Sequence, residues 1–353
     1  MMATGIKQWI QQVTDRALEI LDLKSEGIPL DDLISQCHAV LSRRGEATGL
    51  ALAGSVVASW QALESNQHLS FFQALIAEFG PDQERLEQAI ADYKKNVDDV
   101  NVMRLHQAAE AKRQELFRRI NAAPNGLQTL ILMREALRRL LREHPELKPI
   151  DQDLVHLFTS WFNKGFLRLE RIDWQTPAAV LEKLIQYESV HEIQGWDDLR
   201  RRLAEDRLCF AYFHPVIPDE PLIFVEVALV QGMSDAIAPL LDSPPAPPIA
   251  ADTAVFYSIN NCQPGLAGVS FGNLLIKQVV SVLQAEHPRL KRFVTLSPIP
   301  GLRLWLETEG REFLHRFESS DDETALKSIV AQYLTSGHGA KLKDPVARFH
   351  LGN

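Results

Sequence analysis

The chain has 353 residues, 46% hydrophobic and 24% charged, close to the globular average, which excludes a peptide hormone, a small disulfide scaffold, a fibrous repeat and wholesale disorder. That length suits roughly two domains of about 100 to 200 residues, each able to bury a core. Its 37 Lys and Arg against 46 Asp and Glu give a net charge of −9, which argues against a nucleic-acid-coating protein and leaves any anionic ligand to a local pocket.

The opening stretch MMATGIKQWIQQVTDRALEI lacks a basic segment followed by an apolar one, and no run approaches the roughly 20 apolar residues of a membrane span. The cysteines Cys37, Cys209 and Cys262 are too scattered for a zinc ribbon and too few to pair fully, so a reducing, cytoplasmic setting without a membrane anchor is expected. Up to about Glu170 apolar residues recur at helical spacing, as in Leu30, Leu33, Ile34, Cys37 and Leu41, and again in Leu127, Leu130, Ile131, Met133, Leu137, Leu140 and Leu141. Gly45, Gly80-Pro81 and Pro124-Asn125-Gly126 punctuate these segments, with Pro81 and Pro124 expected in the first turn of the helix that follows. Residues 81–120 carry both charge signs and read as the solvated faces of a long helical hairpin. Residues 1–170 are therefore expected to form an all-α bundle.

Thr176-Pro177 reads as the N-cap and first residue of a helix ending at Tyr187, after which the pattern turns to short β-rich runs. These are LCFAYF (208–213), LIFVEVALV (222–230), AVFYSI (254–259) and RFVTL (292–296). A helix expected over 269–285 joins the last two into a βαβ unit, hence locally parallel strands with a right-handed crossover. The segment SPPAPP (243–248) reads as a stiff surface loop. The fold class expected is α+β with two domains, 1–170 and 171–353.

Three stretches could carry chemistry. In QPGLAGVSFGN (263–273), Gly265, Gly268 and Gly272 allow close backbone approach at a helix start, which can cradle a phosphate. The same spacing also fits a tight turn with close helix–sheet packing, and it matches neither the dinucleotide fingerprint nor a P-loop. In TLSPIPG (295–301), two prolines fix the backbone beyond Ser297 at a strand end, where open α/β sheets bind ligands, although Ser before Pro is also a routine turn former. In KDPVARFHLGN (343–353), His350 sits between Phe349 and Leu351, as a core histidine on an apolar strand would. His191, His214, His287 and His315 show no metal-ligand spacing, so no zinc chemistry is expected.

Taken together, FYSINNCQPGLAGVSFGNLLIKQVV, RFVTLSPIPGL and DPVARFHLGN resemble, in order, the malonyl-CoA decarboxylase family. The motifs cover about the last 100 residues; FAYFHPVIPDEPLIFVEVALV also resembles the family, and the first half agrees in helical character only. The resemblance implies a helical oligomerisation domain followed by a GNAT-like α/β domain that binds coenzyme A. The implied reaction takes malonyl-CoA to acetyl-CoA and carbon dioxide without a cofactor or metal, in a homotetramer. It implies a dyad, with His350 as proton donor and Ser297 as polarising partner or formal proton acceptor. The coenzyme A pyrophosphate is expected on Ala267, Gly268, Val269, Ser270, Phe271, Gly272 and Asn273. Two departures stand out: some relatives carry a glutamate where this chain has Ser270, and family members continue past the H-L-x-N motif to contribute a tyrosine, so the chain is read as truncated after Asn353. Two other readings follow from the same residues: an acyl-CoA-dependent acyltransferase with Glu226 as general base, and a non-catalytic coenzyme A-binding module.

Overall fold

The computed structural model describes residues 30–42, 45–269, 272–319, 322–335 and 344–351, in two units. The first comprises the described residues up to Leu167 together with His214–Pro218 and 263–269. Its α-helices are α1 (Leu30–Ser42), α2 (Glu46–Gln61), α3 (His68–Glu78), α4 (Gln83–Lys95), α5 (Asp99–Ala109), α6 (Lys112–Ala122), α7 (Gly126–Leu140) and α8 (Lys148–Trp161). Apolar faces of α3, α6, α7 and α8 supply a core of Phe71, Phe72, Leu116, Phe117, Ile120, Leu130, Leu137, Leu154 and Phe158, all buried, whereas α2 is apolar on most sides and has no single stripe. Each such side chain contributes about 1.5 to 3 kcal/mol on burial.

Residues 81–120 form three helices, not one long hairpin. Asp82 accepts the Arg85 N–H and Asp98 accepts the Asn101 N–H, so each side chain starts a new helix. Pro81 and Pro124 likewise stand before the capping residues Asp82 and Asn125, outside the first turns.

The second unit is built on a five-stranded sheet whose spatial order follows the chain: β1 (Arg168–Ile172), β2 (Arg207–His214), β3 (Ile217–Val230), β4 (Thr253–Asn261) and β5 (Arg292–Thr295). The pairs β1–β2 and β3–β4 are antiparallel, whereas β4–β5 is parallel and connected by α12 (Gly272–Glu286). The expected α+β class and its βαβ unit are thus present, with Val269, the expected first residue of that helix, outside it. The strand β1, RLERI, went unrecognised because it is a short edge strand with mostly exposed, charged side chains and no apolar alternation. Before β2 lie α9 (Ala178–Tyr187) and α10 (Trp196–Arg202), and α11 (Ala238–Asp242) leads into the proline-rich segment between β3 and β4. The N-cap of α9 is Pro177, because the Thr176 hydroxyl is turned back to accept the Asp173 N–H at 3.0 Å. Val180, Leu181 and Leu184 of α9 pack on Cys209, Ala211 and Phe213, alternate residues of β2. After β5 come α13 (Leu302–Thr308), α14 (Arg311–Ser319), α15 (Glu323–Thr335) and α16 (Pro345–Leu351).

Two details of the sheet open a cavity. Parallel pairing ends at Phe256↔Thr295, with a last bond from the Leu296 N–H to the Phe256 carbonyl at 2.9 Å, while β4 runs on to Asn261. In addition β4 carries one extra residue, Tyr257, between the pairs Glu226↔Ser258 and Val227↔Phe256. Such a bulge bends its strand and redirects side chains.

Candidate active site

Ser297 follows the last ladder bond of β5, and Pro298 and Pro300 restrict the backbone beyond it. His350 lies in the last turn of α16, a helix and not the apolar strand expected from Phe-His-Leu. The helix starts there because the Asp344 carboxylate accepts the Val346 and Ala347 N–H groups, each at 2.9 Å, with Pro345 at the first helical position, where no N–H is needed. Ser297 Oγ and His350 Nε2 are 3.0 Å apart, so two residues separated by 53 positions share a hydrogen bond. Burial lowers the His350 pKa below its usual 6.5, which keeps the imidazole neutral at pH 7.

The pair opens into a cavity of about 320 Å³ where β4 outruns β5. Val190, Ile223, Ile259, Val346 and Phe349 give it apolar walls, and Asn261 and Tyr257 of β4 complete it beside Pro298. Buried polar groups hold the Val190 wall. Glu188 Oε1 accepts the Val190 and His191 N–H groups, each at 2.8 Å, and Oε2 accepts Ser258 Oγ and Asn260 Nδ2, each at 2.7 Å. Asn260 Oδ1 accepts the Ser189 N–H and hydroxyl, and Arg202 donates to the His191 carbonyl at 3.1 Å. None of these supports was legible beforehand, since Glu188 and Asn260 are 72 positions apart and neither sits in a motif.

Glu226 occupies a different environment. It is 1% exposed, accepts Arg202 Nη1 at 2.8 Å and does not line the cavity. Burial raises its pKa to about 7, the Glu188 charge adds to that, and Arg202 opposes it. A carboxylate so enclosed and paired is not placed to take a proton from an acceptor in the cavity.

The glycine-rich stretch divides between the two units. In the first, Gly265 packs so close to α7 that an added Cβ would lie 2.1 Å from the Ile131 carbonyl oxygen. The buried Arg134 donates to the carbonyls of Gly265 at 2.7 Å and Ala267 at 2.8 Å, and pairs with Asp151 at 2.8 Å. The N–H groups of Ala267 and Val269 are bonded to the Pro264 and Leu266 carbonyls, whereas Gly268, at φ +86°, is exposed. Ser270 and Phe271 lie outside the described residues, and Gly272 and Asn273 form the first turn of α12. Among the described residues no cluster of three or more His, Cys, Asp or Glu could hold a metal ion, and no helix is long and apolar enough to cross a membrane.

Comparison with known proteins gives a consistent result. The family model of the malonyl-CoA decarboxylase C-terminal domain matches residues 165–329, and that of the N-terminal domain matches residues 79–162. A crystal structure of malonyl-CoA decarboxylase from Rhodopseudomonas palustris is similar at TM-score 0.85 and 48% identity, over 92% of this chain and 86% of that one. The enzyme from Agrobacterium vitis is similar at TM-score 0.82 and 45% identity, over 91% and 85%. Mitochondrial malonyl-CoA decarboxylase of Anser anser anser is 34% identical over 67% of this chain and 57% of its own, and that of Rattus norvegicus 38% identical over 60% and 45%. The chain thus spans about half the length of these animal relatives.

Proposed function

The chain belongs to the malonyl-CoA decarboxylase family, and we propose that it converts malonyl-CoA to acetyl-CoA and carbon dioxide in the cavity where Ser297 Oγ meets His350 Nε2 at 3.0 Å. That contact carries the reading. Breaking the bond to the carboxylate leaves an enolate whose charge sits on the thioester oxygen, which calls for a donor at that oxygen and a proton for the α-carbon. Ser297 polarises the oxygen, and His350, neutral before the carboxylate leaves, takes up one proton from solvent per turnover and passes it to the α-carbon directly or through Ser297, returning to the neutral form. The thioester is the electron sink, so the reaction calls on no cofactor. The walls of Val190, Ile223, Ile259 and Phe349 favour the step, because a carboxylate stripped of water there is relieved by leaving as neutral carbon dioxide. A neutral His350 serves the same end, since an imidazolium would stabilise the carboxylate before it leaves.

In this reading the coenzyme A pyrophosphate lies on residues 267–273, with the first turn of α12 (Gly272, Asn273) supplying backbone N–H donors. The extension of β4 past β5 supports a GNAT-like character for 171–353, with the thioester entering the gap. Residues 1–170 then act as the oligomerisation domain of a homotetramer, for which the exposed Val97, Val100, Val102 and Met103 near and on α5 offer apolar surface. The free, buried thiols of Cys37, Cys209 and Cys262 suit a reducing cytoplasm. The test is chromatography of malonyl-CoA incubated with the protein alone: acetyl-CoA should accumulate without an amine acceptor. Binding of coenzyme A with no product would favour the non-catalytic reading, and a strict need for an amine the acyltransferase.

A further inference from the structure

The loop that carries Ser297 ends at Gly301, the helix that carries His350 starts after Asp344, and a single hydroxyl touches both. Tyr333 on α15 is 3% exposed and donates its hydroxyl to Asp344 Oδ2 at 3.0 Å, while Asp344, 1% exposed, uses Oδ1 to accept the Val346 and Ala347 N–H groups of α16. A Cβ built on Gly301 would lie 2.1 Å from the Tyr333 hydroxyl oxygen and 3.4 Å from Asp344 Oδ2, so the hydroxyl fills the space a side chain there would take. Trp305 of α13, the helix that follows Gly301, packs on the Tyr333 ring with centroids 5.4 Å apart. Neither Tyr333 nor Asp344 lines the cavity.

We propose that Tyr333 and Asp344 are positioning residues that set the separation of Ser297 and His350, Asp344 by fixing the start of the histidine helix and Tyr333 by locking that start against the serine loop. The physical reason is the shortness of α16: seven residues do not hold a helix in water, so its placement comes from its cap and its neighbours. Burial, with the bond to Asp344 adding, pushes the Tyr333 hydroxyl up to about 12, so it remains a donor at every working pH. Loss of a cap alone shifts a helix equilibrium about fivefold, and a 1 Å displacement of a reacting group costs about a hundredfold.

The inference rests on the reading of Ser297 and His350 as the working pair, and the test separates the two. Steady-state kcat and KM for malonyl-CoA, with thermal unfolding, are measured for the unaltered chain, Tyr333→Phe, Asp344→Ala, Asp344→Asn and Ser297→Ala. Asp344→Ala should lower kcat between about fivefold and a hundredfold at a KM within about threefold of the unaltered chain. Tyr333→Phe, which keeps the ring packing, should lower kcat about fivefold, and Asp344→Asn, whose amide oxygen can accept the same two N–H groups, should recover most of the loss. If Asp344→Ala fails to fold, Tyr333→Phe and Asp344→Asn carry the test. Unchanged kcat in Tyr333→Phe and Asp344→Ala, with or without a lower melting temperature, while Ser297→Ala is inactive, would overturn the positioning role and leave the dyad standing. Full activity in Ser297→Ala would overturn both.

Discussion

Replacing Glu226 by Gln tests how the sheet interior divides labour with the cavity. The carboxyl is fully buried, and its pKa rises from 4.5 to about 7, chiefly through burial. The folded chain therefore holds a proton that the unfolded chain releases between those values, and folding stability falls as pH rises through that window. A shift of about 2.5 units corresponds to about 3 kcal/mol, at about 1.4 kcal/mol per pH unit. Gln has the same shape and can still accept the Arg202 Nη1 bond of 2.8 Å, but it cannot titrate. Urea unfolding at pH 5, 6, 7 and 8 should therefore show Glu226→Gln gaining on the unaltered chain by about 3 kcal/mol between the two pKa values and levelling off above pH 7. Turnover of malonyl-CoA should be unchanged, because Glu226 does not line the cavity. A difference that is flat with pH, or that falls, would refute the electrostatic reasoning. A tenfold loss of turnover would return Glu226 to the chemistry, as the acyltransferase reading requires.

Two further predictions concern the cavity pair and the glycine turn. Because burial holds the His350 pKa below 6.5, the acid limb of kcat/KM, which reports the free enzyme, should have its midpoint below pH 6.5, with activity lost as the imidazole gains its proton; a midpoint above 6.5 would contradict the burial argument. Arg134→Ala leaves Asp151 and the carbonyls of Gly265 and Ala267 without their donor, so thermal unfolding should register a loss of about 3 kcal/mol and the KM for malonyl-CoA should rise; a loss under about 1 kcal/mol would mean that water replaces the guanidinium at no cost.

Much of the fold was legible because periodicity reports burial directly. The helix Ala178–Tyr187 and the strand cores within β2 to β5 lie where spacing and β-branched content put them. What failed were features decided by single side chains or by neighbours distant in sequence. Asp98 splits a charged helical run, Thr176 turns back to Asp173, and β1 exists only because β2 pairs with it. Of the candidate site, the motifs pointed to Ser297 and His350 but misjudged the local structure of His350, since Phe-His-Leu alternates as a strand would while Asp344-Pro345 starts a helix. Glu188, Asn260, Tyr257 and Tyr333 escaped notice because their importance lies in contacts across the fold that no local pattern encodes.

The most direct test of the account is single-turnover conversion of malonyl-CoA by Ser297→Ala, His350→Ala and the double variant, with folding checked in each. A pair acting as one unit predicts that each single change lowers the rate by roughly two orders of magnitude or more and that the double change costs little beyond either. Independent, multiplying losses would contradict a shared hydrogen-bonded role, and turnover that survives both changes would show that the chemistry lies elsewhere.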